Sequence, residues 1–525
     1  MLTVTVNGQK CQVAEGSTVL DAAVQCGVFI PTLCFYRDYK PFTSCMVCVV
    51  EHVNAGTLMP ACCAPVTDEM IIETDNERVR EARKVALELL LSDHLGDCEA
   101  PCTTVCPAHM NIPLMIRQIA AGHFDEAAAT VLERIPLPGV LGYICPAPCE
   151  KACRRGKHDD PVAICLLKRF AGEYRIRSGS GILAPSTARK NKNVAIIGSG
   201  PAGLSAAYYL QCSGYDCMIY DDRKESGGML RYGISEDNLP RSVLDGEIER
   251  IRKLGVQFVQ NTAVGNDISL RELHDSCDAV VIASGHDNLE YVTRLGVSLN
   301  EHGVSVDAAT CSTGVDGVFA CGNAVRQRKM AVHAVAAGQT VAVSVDQYLS
   351  SREITGSVKE FNCSIGRLQE GEIDTFMKEA DDSGRIAAAD TNTGSYTADE
   401  AQKEAARCLH CDCRKARDCK LREFATVYGA QQNRFKGSER RQFTQVRQHA
   451  KVIYEPGKCI KCGICVRITE ARKEALGLAF IGRGFDVEVS VPFSQPLERG
   501  LIETAEDCVR SCPTGALAFK DNIAN

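Results

Sequence analysis

The sequence predicts a multidomain chain of mixed α/β and α+β class, on three observations. The chain has 525 residues, enough for several domains. It carries 29 cysteines, most of them in tight groups. One glycine-rich turn lies between a short apolar run and a helix-like run. Hydrophobic residues make up 45% and charged residues 24%, which is a globular composition. A net charge of −7 offers no attraction for nucleic acid. No apolar run approaches the roughly 18–20 residues that cross a bilayer. The start, MLTVTVNGQK, lacks the basic and then apolar pattern of a signal peptide, so the expected location is cytoplasmic. In a reducing compartment, grouped thiols point to metal ligation or redox chemistry rather than to disulfides.

At the N-terminus, Leu2 to Val6 alternates as a strand, Asn7-Gly8 is a hairpin turn, and a second strand follows near Cys11 to Val13. Ser17 is placed to cap a helix running to about Cys26. Cys34, Cys45, Cys48 and Cys62 follow, with ten, two and thirteen residues between them. One isolated thiol, a close pair and a distant fourth suit a [2Fe–2S] cluster. A zinc ribbon is the competing reading, but the ten-residue gap is unusual for one. Cys63 adjoins Cys62, and only one of the two can be the ligand. The segment ACCAPV resembles the large iron–sulfur subunit of respiratory complex I and the iron-only hydrogenases, and the resemblance favours Cys62.

Ala82, Val85, Ala86, Leu89 and Leu90 recur at helical spacing, and His94 follows that helix. Cys98, Cys102 and Cys106 come next. The stretches APCTTVCPAHMNIP, ICPAPCEKACRRG and PVAICLLKRFAGEY resemble the N-terminal domain of the glutamate synthase small subunit and of dihydropyrimidine dehydrogenase. That resemblance implies two [4Fe–4S] clusters with interleaved ligands. One would take His94, Cys98, Cys102 and Cys153. The other would take Cys106, Cys145 and Cys149, with a Gln or Glu as fourth ligand in the relatives. The aligned residue here is Lys168, whose ammonium has no lone pair to give. Cys165, one helical turn earlier on the same face, is expected to substitute.

Asn193 to Ile197 reads as a strand running into Gly198-Ser199-Gly200-Pro201-Ala202-Gly203, and a helix follows. Glycines there let backbone amides approach a pyrophosphate at a helix N-terminus. Asp221, about 20 residues on, can accept from ribose hydroxyls. SGGMLRYGI, DAVVIASG and GVFACGNAV resemble, in order, the FAD domain of the glutamate synthase small-subunit family. This implies FAD, held by Gly198, Gly200, Pro201, Ala202, Gly203, Asp221, Gly228, Arg231, Gly285, Gly322 and Asn323. Asn323 stands where the family carries Asp. Relatives insert an NADPH domain between the second and third motifs, but only 31 residues separate Gly285 from Gly317. One βαβ unit alone needs about 30. The sequence therefore predicts no NAD(P)H site of its own.

RCLHCDCRKARDCKLR places Cys408, Cys411, Cys413 and Cys419 within twelve residues, interleaved with cations that would offset an anionic [4Fe–4S] cluster. Zinc is the alternative. CIKCGICVRIT and SCPTGAL resemble a bacterial-type ferredoxin domain of complex I and formate dehydrogenases. This implies a [4Fe–4S] cluster on Cys459, Cys462, Cys465 and Cys512. A second cluster would need cysteine at Thr469, Ile502 and Ala505 and retains only Cys508, so it is expected to be lost. Cys11, Cys26, Cys63, Cys212, Cys217, Cys277, Cys311, Cys321, Cys363 and Cys508 are left as packing residues.

The expected division is a β-grasp [2Fe–2S] ferredoxin (1–80), a helical double-cluster domain (81–180) and a Rossmann-like FAD domain (190–350). A linker (351–400), a Cys-rich segment (401–435) and a ferredoxin-like domain (436–525) follow. The resemblances imply one FAD, one [2Fe–2S] and four [4Fe–4S] clusters in an electron-transfer subunit. The setting they imply is an NAD-linked hydrogenase or formate dehydrogenase, of the kind that can bifurcate electrons to ferredoxin. Partners would be the catalytic subunit and an FMN subunit that meets NADH. The alternatives are a free-standing ferredoxin-dependent flavoenzyme reductase and an iron–sulfur wire with a structural FAD. No catalytic residue stands out.

Overall fold

The computed structural model describes residues 1–178, 188–285, 293–389 and 394–520. Most of the stretch 178–187, expected to link two domains, lies outside the described residues. The chain forms two compact units, and each draws on distant segments: Met1–Glu99, Lys359–Lys378 and Cys411–Asn525 in the first, Ala100–Val358 and Glu379–His410 in the second. No helix among the described residues is long and apolar enough to cross a membrane.

The first unit begins with strands Leu2–Val6 and Gln9–Val13, joined by a turn in which Asn7 and Gly8 both take positive φ (48° and 80°). That is the backbone an Asn-Gly hairpin requires. The helix Val19–Gln25 is capped by Thr18, whose side chain exchanges hydrogen bonds with Asp21, and not by Ser17. Both hydroxyls can cap, and only the acid three residues after Thr18 completes the box. Met70–Glu73 joins Leu2–Val6 in parallel, and Val49–His52 and Thr57–Pro60 complete a five-stranded sheet. Its inner face buries Val4, Val6, Leu20, Ala23, Val50 and Ile72.

The helix Glu77–Ser92, capped by Asn76, carries Leu87 and Leu91 into a second core. That core also takes Leu33 and Val47 from the N-terminal module and Phe424, Val452, Ile468 and Leu517 from the C-terminal one. Modules far apart in sequence are therefore one packed body. In the C-terminal part, Val452–Tyr454 pairs antiparallel with Leu517–Phe519. Helices Ile464–Ala471 and Ala505–Ser511 pack beside them.

The expected linker 351–400 is divided between the units rather than left as a free connector. Its anchors Cys363, Ile365 and Phe376 are buried singly among polar residues, which makes the composition read as loop.

The second unit places helices Ile112–Ala120, Phe124–Leu132, Pro138–Ile144 and Ile164–Ser178 on a core shared with a parallel five-stranded sheet. In the sheet, Asn193–Ile197 is central, with Asp216–Tyr220 and Ala279–Ile282 on its two sides. Gln257–Val259 and Val318–Ala320 form the edges. Where a second nucleotide domain would be inserted, the described residues hold only the small hairpin Leu299–Asn300/Gly303–Val304. Glu404 and Arg407, both fully buried, pair at 2.8 Å, and they tie the last segment of this unit to it as Glu404 accepts from the Ala163 N–H and Arg407 donates to the Asp160 carbonyl.

Candidate functional site: thiol groups and a dinucleotide cradle

Cys34, Cys45, Cys48 and Cys62 are all buried and lie within reach of one another, whereas Cys63 is exposed. Hydrogen bonds with the Cys45 and Cys62 thiols hold Cys34 far below its usual pKa, against the opposing effect of burial. The loop that carries them bends through left-handed Asp38, Thr43 and Met46 (φ 77°, 55° and 54°). This turns the backbone N–H groups of Ser44 and Cys45 toward the Cys34 sulfur. Amides aimed at sulfur are what an anionic iron–sulfur centre uses.

Cys459, Cys462, Cys465 and Cys512 line one cavity together with Tyr454, Gly463, Pro513 and Thr514. Left-handed Lys461 and Gly463 (φ 55° and 73°) fold the three-cysteine run around it. The Lys461 N–H donates to the Cys459 sulfur at 3.4 Å. Burial above all raises the Cys462 thiol, with smaller contributions from Cys512, Cys459 and Cys34. The last of these puts the C-terminal thiols within charge-interaction range of the N-terminal ones. Thr469 donates to the Val466 carbonyl and accepts from the Leu478 N–H, Ala505 and Cys508 are core residues, and Ile502 is exposed.

In the second unit, Cys106 and Cys145 each end a short helix, Cys149 sits on another, and Cys165 opens the helix Ile164–Ser178. The Cys165 thiol is hydrogen-bonded with Cys145 and Cys149. Among these thiols lies the buried Lys168 ammonium, which donates to the Leu141 carbonyl at 3.1 Å and to the Cys165 sulfur at 3.7 Å. Burial pulls Lys168 down, but Cys165, Cys145, Cys149 and Cys106 outweigh it and keep the pKa above its usual value.

Two expected ligand sets are not gathered within one unit. His94 and Cys98 belong to the first, and Cys102 and Cys153 to the second. Likewise Cys408 belongs to the second, whereas Cys411, Cys413 and Cys419 belong to the first. The chain passes between units at Glu99–Ala100 and again at His410–Cys411, inside both motifs. Cys102, Cys153 and Cys408 pack against the core of the second unit. His94 is half-buried, its Nδ1 is sealed and has no hydrogen-bond partner, and burial together with Lys458 pushes its pKa down to about 4. Its ring is therefore neutral at pH 7 and able to offer a lone pair. Cys363, which the sequence left as packing, stands against Cys98 with the sulfurs 3.3 Å apart. Among the described residues, no three His, Cys, Asp or Glu side chains converge as a single-ion site requires. A multi-iron cage holds its ligands further apart than one ion does.

The dinucleotide cradle is built from close backbone approaches. A Cβ on Gly203 would lie 1.9 Å from the Gly198 carbonyl oxygen, and one on Gly198 (φ 105°) 2.5 Å from that of Ala283. A Cβ added at Gly200 would meet nothing within 4 Å, and the helix Pro201–Cys212 begins there with no side-chain cap. Gly228 and Gly322 close on Gly200 and Ala202. Gly285 takes φ 81° at the end of its strand. The Asp221 carboxylate accepts from the Ser199 N–H and hydroxyl, both at 2.6 Å, and from the Arg223 N–H at 2.9 Å. It therefore shapes the glycine loop directly. Asn323 exchanges two hydrogen bonds with the Arg328 backbone, and Arg231 donates to the Ser226 carbonyl and pairs with Asp245. This open helix end, reached only across glycines, fits a pyrophosphate.

Comparison with known proteins matches three stretches of the chain. Residues 1–77 match the 2Fe-2S iron-sulfur cluster binding domain family. Residues 92–180 match dihydropyrimidine dehydrogenase domain II, 4Fe-4S cluster, and residues 196–245 match the NAD(P)-binding Rossmann-like domain. The chain is similar to the NADP(+)-dependent formate dehydrogenase subunit beta of Moorella thermoacetica, 41% identical over 225 residues, 39% of this chain and 31% of that one. It is similar to the NADPH-Fe(3+) oxidoreductase subunit beta of Geobacter sulfurreducens, 44% identical over 188 residues, 35% of this chain and 28% of that one. It is also similar to the NAD-dependent dihydropyrimidine dehydrogenase subunit PreT of Escherichia coli, 41% identical over 189 residues, 36% of this chain and 46% of that one. The chain spans less than half the length of these relatives. It combines a 2Fe-2S domain, a 4Fe-4S domain and a Rossmann-like dinucleotide domain, as oxidoreductase subunits do.

Proposed function

We propose that this chain is an electron-transfer subunit of a multisubunit oxidoreductase in a reducing, cytoplasmic setting, holding one FAD, one [2Fe–2S] and four [4Fe–4S] clusters. The observation that carries the reading is the adjacency of separate thiol groups in the first unit. Cys34 and Cys45 of one group and Cys462 of another are buried in one packed core. Isolated zinc sites have no use for such proximity, whereas one-electron carriers depend on it. Cys34, Cys45, Cys48 and Cys62 would hold the [2Fe–2S] cluster. Cys459, Cys462, Cys465 and Cys512 would hold one [4Fe–4S], and Cys106, Cys145, Cys149 and Cys165 another. Buried thiols fit that task because metal binding removes the proton that desolvation makes hard to lose.

The glycine loop Gly198–Gly203 would receive the FAD pyrophosphate at the helix N-terminus. Asp221 would hold that loop through Ser199 and leave lone pairs toward the ribose. A bound flavin supplies the exchange between electron pairs and single electrons. The beta-subunit relatives support a partner-bound role, of the NAD-linked formate dehydrogenase or hydrogenase kind, with the terminal chemistry on other subunits. Anaerobic isolation is expected to give a hetero-complex with about 18 irons and one FAD per chain of this kind. Colourless material with no electron paramagnetic resonance (EPR) signal after dithionite would sink the reading.

A further inference from the structure

We infer that the Tyr454 hydroxyl donates a hydrogen bond to the Cys459 sulfur once that sulfur ligates iron, and so tunes the potential of the C-terminal [4Fe–4S] cluster. The inference rests on the proposed electron-transfer role and deepens it by assigning a residue that sets a potential without being a ligand.

The backbone fixes the ring. Tyr454 ends the strand Val452–Tyr454, in register with Leu517 across the antiparallel pair. It also exchanges two backbone hydrogen bonds with Val446, at 2.8 and 3.0 Å. The Glu455 N–H then donates to the Ala516 carbonyl at 2.8 Å, and the tight turn Pro456–Lys458 brings the chain back. The Cys459 N–H closes that turn on the Pro456 carbonyl at 3.0 Å. The first thiol of the quartet, five residues after the phenol, therefore borders the same cavity.

The hydroxyl is an orphan. Tyr454 is 6% exposed, its Oη is sealed from solvent, and it completes no hydrogen bond. A buried hydroxyl without an acceptor destabilises the fold, and phenylalanine would fill the same space without that penalty. Burial pushes the phenol's pKa above its usual value, so the proton stays on it and is there to give. After burial, the neighbour that most affects the phenol is Cys459, which stands within reach without completing a bond. A protonated thiol is a weak acceptor, whereas a thiolate sulfur carries negative charge and is a strong one.

Other acceptors are spent or passed over. Among the described side chains that line the thiol cavity, only Tyr454 and Thr514 carry oxygen. Thr514 donates to the Lys458 carbonyl at 2.9 Å, accepts from the Ala516 N–H at 3.3 Å and meets the Cys512 sulfur at 3.7 Å, which uses its hydroxyl in full. Tyr454 and Cys459 also border a second cavity, which holds two rivals, the sealed Nδ1 of His94 and the Glu488 carboxylate. Neither accepts from the phenol. Hydrogen bonds to sulfur are among the features that set cluster potentials. A proton aimed at sulfur favours the reduced, more negative cage, so its removal makes that cage harder to reduce.

Tyr454→Phe is read in the anaerobically purified complex by iron assay, by potentiometric titration followed by EPR, and by electron–nuclear double resonance in H2O against D2O. The signal that Cys462→Ala abolishes identifies the cluster. Iron should stay at the parent level. Reduction of that cluster should become about tenfold less favourable, a fall in midpoint of about 59 mV, and one exchangeable-proton coupling should vanish. The midpoint of the cluster that Cys145→Ala removes should not move. A hydroxyl turned instead to His94 or Glu488 leaves midpoint and coupling unmoved, and that result overturns the bond while the electron-transfer role stands. Loss of that cluster's iron overturns it too, because a tuning donor is not needed to hold the cage. Iron absent from the parent overturns both the bond and the role. If Tyr454→Phe does not accumulate, Tyr454→Leu is read instead. A lowered midpoint then supports the bond, and an unmoved one overturns it.

Discussion

The quartet around Lys168 and the quartet beside Tyr454 both mix buried with half-buried thiols, yet they differ in what would balance their charge. Cys106, Cys145, Cys149 and Cys165 have a whole ammonium enclosed among them. Cys459, Cys462, Cys465 and Cys512 have a phenol, prolyl and glycyl backbone, the Lys461 amide, and only a partly exposed ammonium, that of Lys461, which is shared with Asp93. A fixed cation favours the more reduced, more negative state of any cage it touches. A site that relies on amides and burial holds that state less well. The difference teaches that two centres with the same ligands can be set at different potentials by one residue that is not a ligand. The Lys168 site should be the more readily reduced of the two.

The largest expected effect comes from breaking the quartets themselves. Cys145→Ala and Cys462→Ala should each remove about four irons per chain, and each should abolish a different EPR signal. Loss of the same signal in both would dissolve the distinction. Next in size is Lys168→Met, which keeps the length of the side chain and removes its charge. Near 4 Å and at an effective dielectric of about 20, one charge is worth about 4 kcal/mol, so the midpoint of that cluster should fall by on the order of 100 mV. Potentiometric titration reads this, and an unmoved midpoint would mean that the ammonium does not face the cluster. The smallest effect belongs to Cys508→Ala in the C-terminal module. Cys508 is a fully buried member of the core, so unfolding should show a loss of about 1 kcal/mol with iron content unchanged. A drop in iron would mean that a second cage does form there.

Much of the local structure was legible before any coordinates. Asn7-Gly8 announced the hairpin, the recurrence from Ala82 to Leu90 announced a helix, and Gly198–Gly203 announced the strand-to-helix turn. These signals lie within a few residues, where backbone preference and periodicity act. The Lys168 neighbourhood was also readable, because Cys165 and Lys168 share a helix face. Cys363 was not. It is a lone thiol in FNCSIG, and only the fold brings it to Cys98, 265 residues away. Nor could spacing reveal that the chain leaves one unit just after Glu99 and enters it for the last time at Cys411, each time in the middle of a cysteine motif. Sequence proximity suggested that those thiols share a centre, and the fold assigns them to different units.

The interleaving of the two units has a consequence for biosynthesis. The core that seats Leu33 and Leu87 also needs Phe424, Val452 and Leu517, which lie in the last quarter of the chain. A nascent polypeptide that has finished its first hundred residues therefore exposes an apolar flank with nothing yet made to cover it. Completion of that body, and any delivery of iron and sulfide into it, must wait until Leu517 has been made and has left the ribosome. Expression of the N-terminal piece by itself should give a sticky, chaperone-bound fragment instead of a working ferredoxin.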